Sequence, residues 1–388
     1  MAAKPTLEAF LATARSALKA PLAQRATPLT FVVGNESADL DSLCSAIVYA
    51  FLRTNSPPHT LHIPLSNLSR ADLALRTEMT AVLQHAALTT DHLLTLSDLP
   101  DLQPQDTRWV LVDHNSPTGA LKKFASQVAG CVDHHVDEGF VGVDARPRII
   151  EPCGSCMSLI VDECKQTWGE LHERIDTAEH DKLVKLSLAP ILLDTTNLTA
   201  ASKVRPKDTQ AVHFLQRHLH DQTFAPDRCH DLINAVKEDI SGLSFRDIFR
   251  KDYKEWEESG LALGVSCVVQ GFEYLLDKAQ SEHVFLRELS SWAEDRRLDV
   301  AAVMTTSNPG GEFRRQLLVW GLNDRGREAV QTFRDVAAHS LRLEPWHGGS
   351  LGAGEERFAW AQLELAASRK QVAPLLRKAL KLSRQPKV

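Results

Sequence analysis

Residues Ala129-Gly130-Cys131-Val132-Asp133-His134-His135 set a short apolar run directly against three ionisable side chains. The run is too short for a helix and lacks polar alternation, so it reads as a strand buried on both faces. Three further runs share its form. Thr30-Phe31-Val32-Val33-Gly34 leads into Asn35-Glu36-Ser37-Ala38-Asp39-Leu40-Asp41-Ser42. Trp109-Val110-Leu111-Val112-Asp113 leads into His114-Asn115, and Ile191-Leu192-Leu193-Asp194 into Thr195-Thr196. Amphipathic stretches lie between them, at Ser42–Arg53, Ala71–His85 and Ser158–Trp168. This alternation predicts an α/β fold with a doubly wound, mainly parallel sheet. Ligands of such sheets bind beyond the carboxyl ends of the strands. Every run ends in, or leads into, an aspartate, so one sheet edge should collect Asp39, Asp41, Asp113, Asp133, His134, His135 and Asp194.

The chain of 388 residues is too long for one typical domain of roughly 100–200 residues. With 43% hydrophobic and 24% charged residues it is globular in composition rather than disordered. Seven scattered cysteines do not make a disulfide framework. The start of the chain carries no export signal and no long apolar run follows, so a soluble, cytoplasmic protein without a membrane partner is expected. The net charge of −6 resides in residues 1–230, and residues 231–388 are neutral. Long nucleic acid is therefore not an expected partner. No obligatory protein partner is evident. Past Gln222–Asp231 the pattern changes to charged helices, Ile248–Glu258 and Glu282–Arg296, between strands such as Leu263–Val269 and Gln316–Trp320. A second, smaller α/β domain is expected there, with a basic, frayed tail over Lys378–Val388.

Carboxylates crowded on one sheet edge repel one another unless cations neutralise them. Oxygen and imidazole ligands without thiolate suit Mn²⁺, Mg²⁺ or Zn²⁺, and a two-metal site serves phosphoryl hydrolysis. A D-x-D after a strand is by itself commonly a turn or a helix cap, and Asp-His-Asn is no more specific. Four such motifs in order, each at the end of an apolar run, point to a metal site. Cys153-Gly154-Ser155-Cys156 lacks a second pair at zinc spacing and reads as a helix-start turn near the active edge. Lys203, Arg205 and Lys207 form either a solvated loop or a polyphosphate contact. Arg314, Arg315 and the glycine-rich segment His347–Gly352 are weaker substrate candidates, and His114 reads as a structural neighbour of Asp113.

The triplet Asp133-His134-His135 resembles the signature of the DHH phosphoesterase superfamily. Ala367-Ser368-Arg369-Lys370-Gln371-Val372 is similar to the SRK(K)Q signature of the DHHA2 domain, and Asp252-Tyr253-Lys254-Glu255-Trp256 resembles a segment near that domain's start. The resemblance spans roughly residues 28–380. DHHA2 accompanies DHH in family II inorganic pyrophosphatases and in the exopolyphosphatase/prune-like branch. The pyrophosphatases carry His where this chain has Asn35-x-x-x-Asp39-x-Asp41, and Gly34–Ser42 is similar to the eukaryotic cytosolic exopolyphosphatases.

The resemblance implies an N-terminal helical extension over 1–27, a DHH catalytic domain over 28–221, a linker over 222–231 and a DHHA2 substrate-binding domain over 232–388, with the active site in the cleft between the domains. It further implies a metal-dependent exopolyphosphatase that releases terminal orthophosphate from inorganic polyphosphate, or from other short phosphoanhydrides, by attack of a metal-bridging hydroxide. Two divalent cations are implied, Mg²⁺ or Mn²⁺, with Zn²⁺ and Co²⁺ as further candidates. Asp39 and Asp113 would hold the first, with Asn35 near it directly or through water. Asp41, Asp113, His134 and Asp194 would hold the second, Asp113 bridging. His135 would contact the reacting phosphate, Asp133 would orient a metal-ligating imidazole, and Lys254, Ser368, Arg369 and Lys370 would grip the following phosphates. A family II pyrophosphatase, a prune-like cyclic nucleotide phosphodiesterase and a phosphate-binding scaffold are the alternatives.

Overall fold

The computed structural model describes residues 4–352, 354 and 356–383. The chain divides into two units, Met1–Lys237 and Glu238–Val388. The first is built on strands β1 (Leu29–Val33), β2 (His62–Leu65), β3 (Thr107–Val112), β4 (Val128–Asp133) and β5 (Arg148–Ile150). Their order is β2-β1-β3-β4-β5 and every neighbouring pair is parallel. The chain leaves β1 towards β2 and returns on its other side as β3, so the order reverses between β1 and β3. That is where doubly wound sheets open a crevice for ligands.

The described residues of this unit form eight α-helices: α1 (Leu7–Lys19), α2 (Leu40–Thr54), α3 (Thr77–His85), α4 (Cys156–Glu163), α5 (Lys165–His172), α6 (Thr177–Asp194), α7 (Pro206–His218) and α8 (Pro226–Glu238). Several readings of individual elements change. Ile191–Asp194 is not a strand but the last turn of α6, with Asp194 as its final residue. Residues Leu186 to Leu192 are buried on every side of that helix, and a fully buried helix shows no periodicity to separate it from a buried strand. Within residues 1–27, α1 packs into the cores of the first unit. Leu7, Phe10 and Leu11 of α1 join one core and Ala14 and Leu18 another, and each large side chain contributes about 1.5–3 kcal/mol of burial. The expected linker over 222–231 is largely helical, because Pro226 opens α8 and its Cys229 and Ile233 are buried in the main core. Finally, Ala71–His85 is a 3₁₀ segment over Arg70–Leu75 followed by α3, and Ser158–Trp168 is divided between α4 and α5.

The second unit holds β6 (Tyr253–Glu258), β7 (Leu261–Val268), β8 (Val300–Ser307), β9 (Arg314–Gly321), β10 (Leu343–Pro345) and β11 (Arg357–Gln362) in the order β10-β11-β9-β8-β7-β6. Among the described residues only β7 and β8 pair in parallel. Its helices are α9 (Phe245–Lys251), α10 (Phe272–Ala279), α11 (Glu282–Arg296), α12 (Asp324–Ala337) and α13 (Arg369–Leu382). The helix expected over Ile248–Glu258 stops at Lys251, and Tyr253–Glu258 is an edge strand antiparallel to β7. Tyr and Trp favour the pleated surface there. The basic tail is helical through Leu382, with Ala379 and Leu380 buried, and residues 384–388 lie outside the described set. Among the described residues no helix is long and apolar enough to cross a membrane.

Candidate metal centre

The turn after β1 is set by steric contact. A Cβ on Gly34 would lie 2.6 Å from Ser42 Cβ, so glycine lets the strand end pass the start of α2. Asp39 caps α2, its Oδ1 accepting from the Ser42 N–H at 3.0 Å. Asp41 is buried and faces the start of α4. It accepts from the N–H groups of Cys156 and Met157 at 2.6 and 3.1 Å and from Ser155 Oγ at 2.9 Å. A helix N-terminus is the favoured seat for a carboxylate.

Asp113 follows β3 with φ +61°, and Ala38 in the neighbouring turn has φ +45°. Such left-handed conformations are strained for residues with a Cβ and cluster at functional sites. Asp113 Oδ2 accepts from Ser42 Oγ at 2.6 Å and from Asn35 Nδ2 at 2.7 Å. Its Oδ1 stands 3.0 Å from His134 Nε2 and 3.8 Å from His135 Nδ1. His134 Nδ1 donates to the Cys153 carbonyl at 3.0 Å. A carbonyl only accepts, so Nδ1 is the donor and Nε2 is the nitrogen offered to a cation, the arrangement usual for metal-bound histidine. His134 Nε2 also lies 4.0 Å from Asp41 Oδ2.

Asp194 is the most C-terminal residue of α6, where the helix presents its negative end and a carboxylate is disfavoured. Burial pushes its carboxyl up, against the pull of Lys237, His134 and Lys203. Asp41 is raised well above the ordinary range, first by burial and then by the charges of Asp113 and Asp194. Buried carboxyl groups in mutual repulsion, with an imidazole nitrogen turned towards them, fit divalent cations. Asp113, His134 and His135 offer ligand atoms within 4.8 Å of one another. Asn35 sits in the same network, its Oδ1 accepting from Ser37 N at 2.9 Å and Ser37 Oγ at 2.5 Å.

A supporting layer was not legible in the sequence. Asn115 donates Nδ2 to Asp133 Oδ2 at 2.6 Å, and Asp133 Oδ1 accepts from His135 Nδ1 at 2.7 Å. Although burial works the other way, the hydrogen bond and charge of His135 hold the Asp133 carboxyl below its ordinary value. Asp208 of α7 is fully buried and accepts from Gly154 N, Ser155 N, Ser158 Oγ and Cys153 Sγ, at 2.9, 3.2, 2.6 and 3.1 Å. It thereby fixes the loop whose Cys153 carbonyl aims His134. The Cys153 thiol is pushed up to about 12, mainly by burial, and Cys156 Sγ donates to the Val132 carbonyl at 3.1 Å. The C-x-x-C is thus a helix-start turn with protonated thiols. The only sequence signal for Asp208 was its place two residues after the Pro that opens α7.

In the second unit, Ser368 caps α13 in a reciprocal box with Gln371. Arg369 Nη2 pairs with Asp252 Oδ1 at 2.7 Å and Nη1 donates to the Asp252 carbonyl at 3.1 Å. The two signatures read separately in the sequence therefore meet, joining the start of α13 to the entrance of β6, which carries Lys254. Lys370 follows Arg369 in the first turn of α13. Burial pushes the Cys267 thiol of β7 up to about 11, with the charges of Arg369, Arg315 and Lys254 working against it and that of Asp252 with it. Arg314 pairs with Glu312 at 2.6 Å on the surface, Lys207 with Glu151 and Asp162, and Ser350 with Glu282.

Residues 30–189 match the model of the DHH family, N-terminal domain, and residues 231–379 that of the DHHA2 domain. Across 94% of this chain and 94% of the relative, 32% of residues are identical to a Schizosaccharomyces pombe protein named "Putative exopolyphosphatase". The chain belongs to the DHH family. Human exopolyphosphatase PRUNE1 is 27% identical, over 96% of this chain and 79% of its own. A manganese-dependent inorganic pyrophosphatase of Methanothrix thermoacetophila is 25% identical, over 71% of this chain and 80% of its own. The DHH–DHHA2 fold is shared with a solved Methanococcus jannaschii structure titled "putative family II inorganic pyrophosphatase", at a TM-score of 0.59 and 18% identity, over 90% of this chain and 99% of the other.

Proposed function

We propose that this DHH-family protein is a metal-dependent exopolyphosphatase that releases terminal orthophosphate from inorganic polyphosphate. The observation that carries the reading is the convergence of Asp41, Asp113, Asp194 and His134 Nε2, with His134 Nδ1 tied to a carbonyl. Divalent cations held there supply Lewis acidity and lower the pKa of water, the chemistry that phosphoanhydride hydrolysis requires. Asp113 would be the shared ligand, Asp41, Asp194 and His134 would complete one side, and Asp39 with Asn35 nearby the other. Mg²⁺ and Mn²⁺ suit this oxygen-rich set best, and the manganese-dependent relative supports the second.

His135 is oriented by Asp133 and its side chain remains 24% exposed, so it is the imidazole available to a phosphate oxygen. Arg369, Lys370, Lys254 and Ser368 are assigned to the remaining phosphates, Arg as a planar fork and Lys as a point charge. The relatives named exopolyphosphatase support polyphosphate as the substrate class. Cytoplasmic location remains part of the same proposal.

The test is phosphate release from tripolyphosphate, long polyphosphate, pyrophosphate and cyclic AMP in parallel, with Mg²⁺ or Mn²⁺ and an EDTA control. Metal-dependent release from the first two, with little from the others, is the expected result. Pyrophosphate as best substrate would move the chain to the pyrophosphatase reading, and cyclic AMP to a phosphodiesterase. Binding without turnover would make it a scaffold.

A further inference from the structure

A second group of ligand-type side chains sits at the far end of α6 from Asp194. One nitrogen of His180, one of His220 and one oxygen of Asp181 lie within 4.8 Å of one another. His180 and Asp181 belong to the first turns of α6, and His220 follows the end of α7. Asp181 and Asp194 are separated along one helix by about 20 Å at 1.5 Å per residue, so this group is separate from the catalytic carboxylates.

The three side chains are held in place beforehand. His180 is buried and its Nδ1 donates to the His218 carbonyl at 3.1 Å. That carbonyl fixes the tautomer and leaves Nε2 as the lone-pair nitrogen, as at metal-bound histidines generally. Trp168 packs edge-on against the ring, 5.6 Å away at 84°, and restricts its rotation. Asp181 Oδ1 accepts from His220 N at 2.8 Å and His220 Nδ1 at 3.1 Å, while Oδ2 accepts from Asp221 N at 2.8 Å. The turn carrying His220 is thus pinned to the carboxylate. The neighbouring Asp221 is paired with Lys185 at 2.7 Å and does not compete for the position.

We infer that His180, Asp181 and His220 form a structural Zn²⁺ site. Two imidazoles and one carboxylate are a zinc ligand set, with water in the fourth tetrahedral position, and imidazole disfavours Mg²⁺ there. The ion would fasten α6 to the end of α7. These helices also carry Asp194 and Asp208, at their opposite ends from the ion. The inference is independent of the substrate assigned above.

The test uses untagged, full-length protein carrying Asp113→Ala, which removes the shared ligand of the catalytic centre. Zn²⁺ content after dialysis and the Zn²⁺-dependent rise in Tm are measured for this parent and for the same protein with His220→Ala added. His220 lies on the surface, so its loss should not prevent folding. The expected result is about one equivalent of Zn²⁺ retained by the parent, and binding weakened at least about tenfold, with loss of the Tm rise, in the variant. Asp181→Asn, which keeps an acceptor oxygen for the two backbone N–H groups, is the companion variant and should behave alike. Separately, His220→Ala in the natural sequence should keep full phosphate release at saturating Mg²⁺. Equal Zn²⁺ content and equal Tm rise in parent and variants would overturn the site.

Discussion

His134 Nε2 stands 3.0 Å from Asp113 Oδ1, while the other nitrogen of the same ring donates to the Cys153 carbonyl. One residue from the end of β3 and one from the end of β4 are thereby aimed at a common point. Asp113 alone faces His134 and His135 with one oxygen and Asn35 and Ser42 with the other.

Asp113→Ala is therefore expected to reduce phosphate release at least about 10³-fold, roughly 4 kcal/mol of barrier, at any practical metal concentration. Circular dichroism should remain that of the parent. Near-normal activity in a folded variant would refute a shared bridging ligand.

Asp208 touches no proposed metal ligand side chain, yet it organises the loop that aims His134. Asp208→Ala leaves several buried donors without an acceptor and should cost about 2–4 kcal/mol of stability. It should also weaken metal binding about 10–100-fold, the usual scale for an outer-sphere partner. Titration of activity with Mn²⁺ and thermal unfolding read the two effects separately. An unchanged metal requirement would confine Asp208 to folding.

Asn35 donates to Asp113 Oδ2 and accepts from Ser37. Asn35→Asp replaces the donor with a like charge beside Asp113. Turnover should fall about tenfold or more unless the metal concentration is raised. A variant with parental activity and metal requirement would show that the amide N–H does not matter.

Arg369→Ala is expected to raise KM for polyphosphate about tenfold, about 1.4 kcal/mol, with kcat changed less. The rise should be larger for long chains than for tripolyphosphate. Because Arg369 also pairs with Asp252, the double variant with Asp252→Asn separates binding from packing. If the double variant recovers parental KM, the arginine acts on structure and not on phosphate.

Asp98 gives the pH prediction. Burial raises its carboxyl, but hydrogen bonds from Arg70 and Thr95 outweigh this and hold it below the ordinary range. A depressed folded pKa stabilises above the unfolded carboxylate value near ~4 and ceases to do so as pH falls through the folded value. The pair is partly screened by solvent, so Asp98→Asn should lose about 1 kcal/mol at pH 7. The difference from the parent should shrink below about pH 4. A pH-independent difference in urea unfolding would mean the charge contributes nothing.

Much of the candidate site was marked by local sequence. Buried parallel strands leave continuous apolar runs, and a polar residue at the end of such a run has few structural uses, so Asp113 and the Asp133-His134-His135 triplet stood out. Asp194 was a candidate ligand whose element was misread, because a buried helix and a buried strand look alike over four residues. The same failing merged α9 with β6, since charge pattern does not mark where hydrogen bonding changes from one chain segment to its neighbour.

The sequence by itself determined the α/β class, the acidic sheet edge and the pairing of DHH with DHHA2 signatures, because each depends on residues close together along the chain. Tertiary structure alone decided that Asp208 holds the Cys153 loop, that Asn115 supports Asp133, and that Arg369 meets Asp252. These contacts join residues 55, 18 and 117 positions apart. They depend on how far strands and helices travel before they pack, and local periodicity carries no record of that.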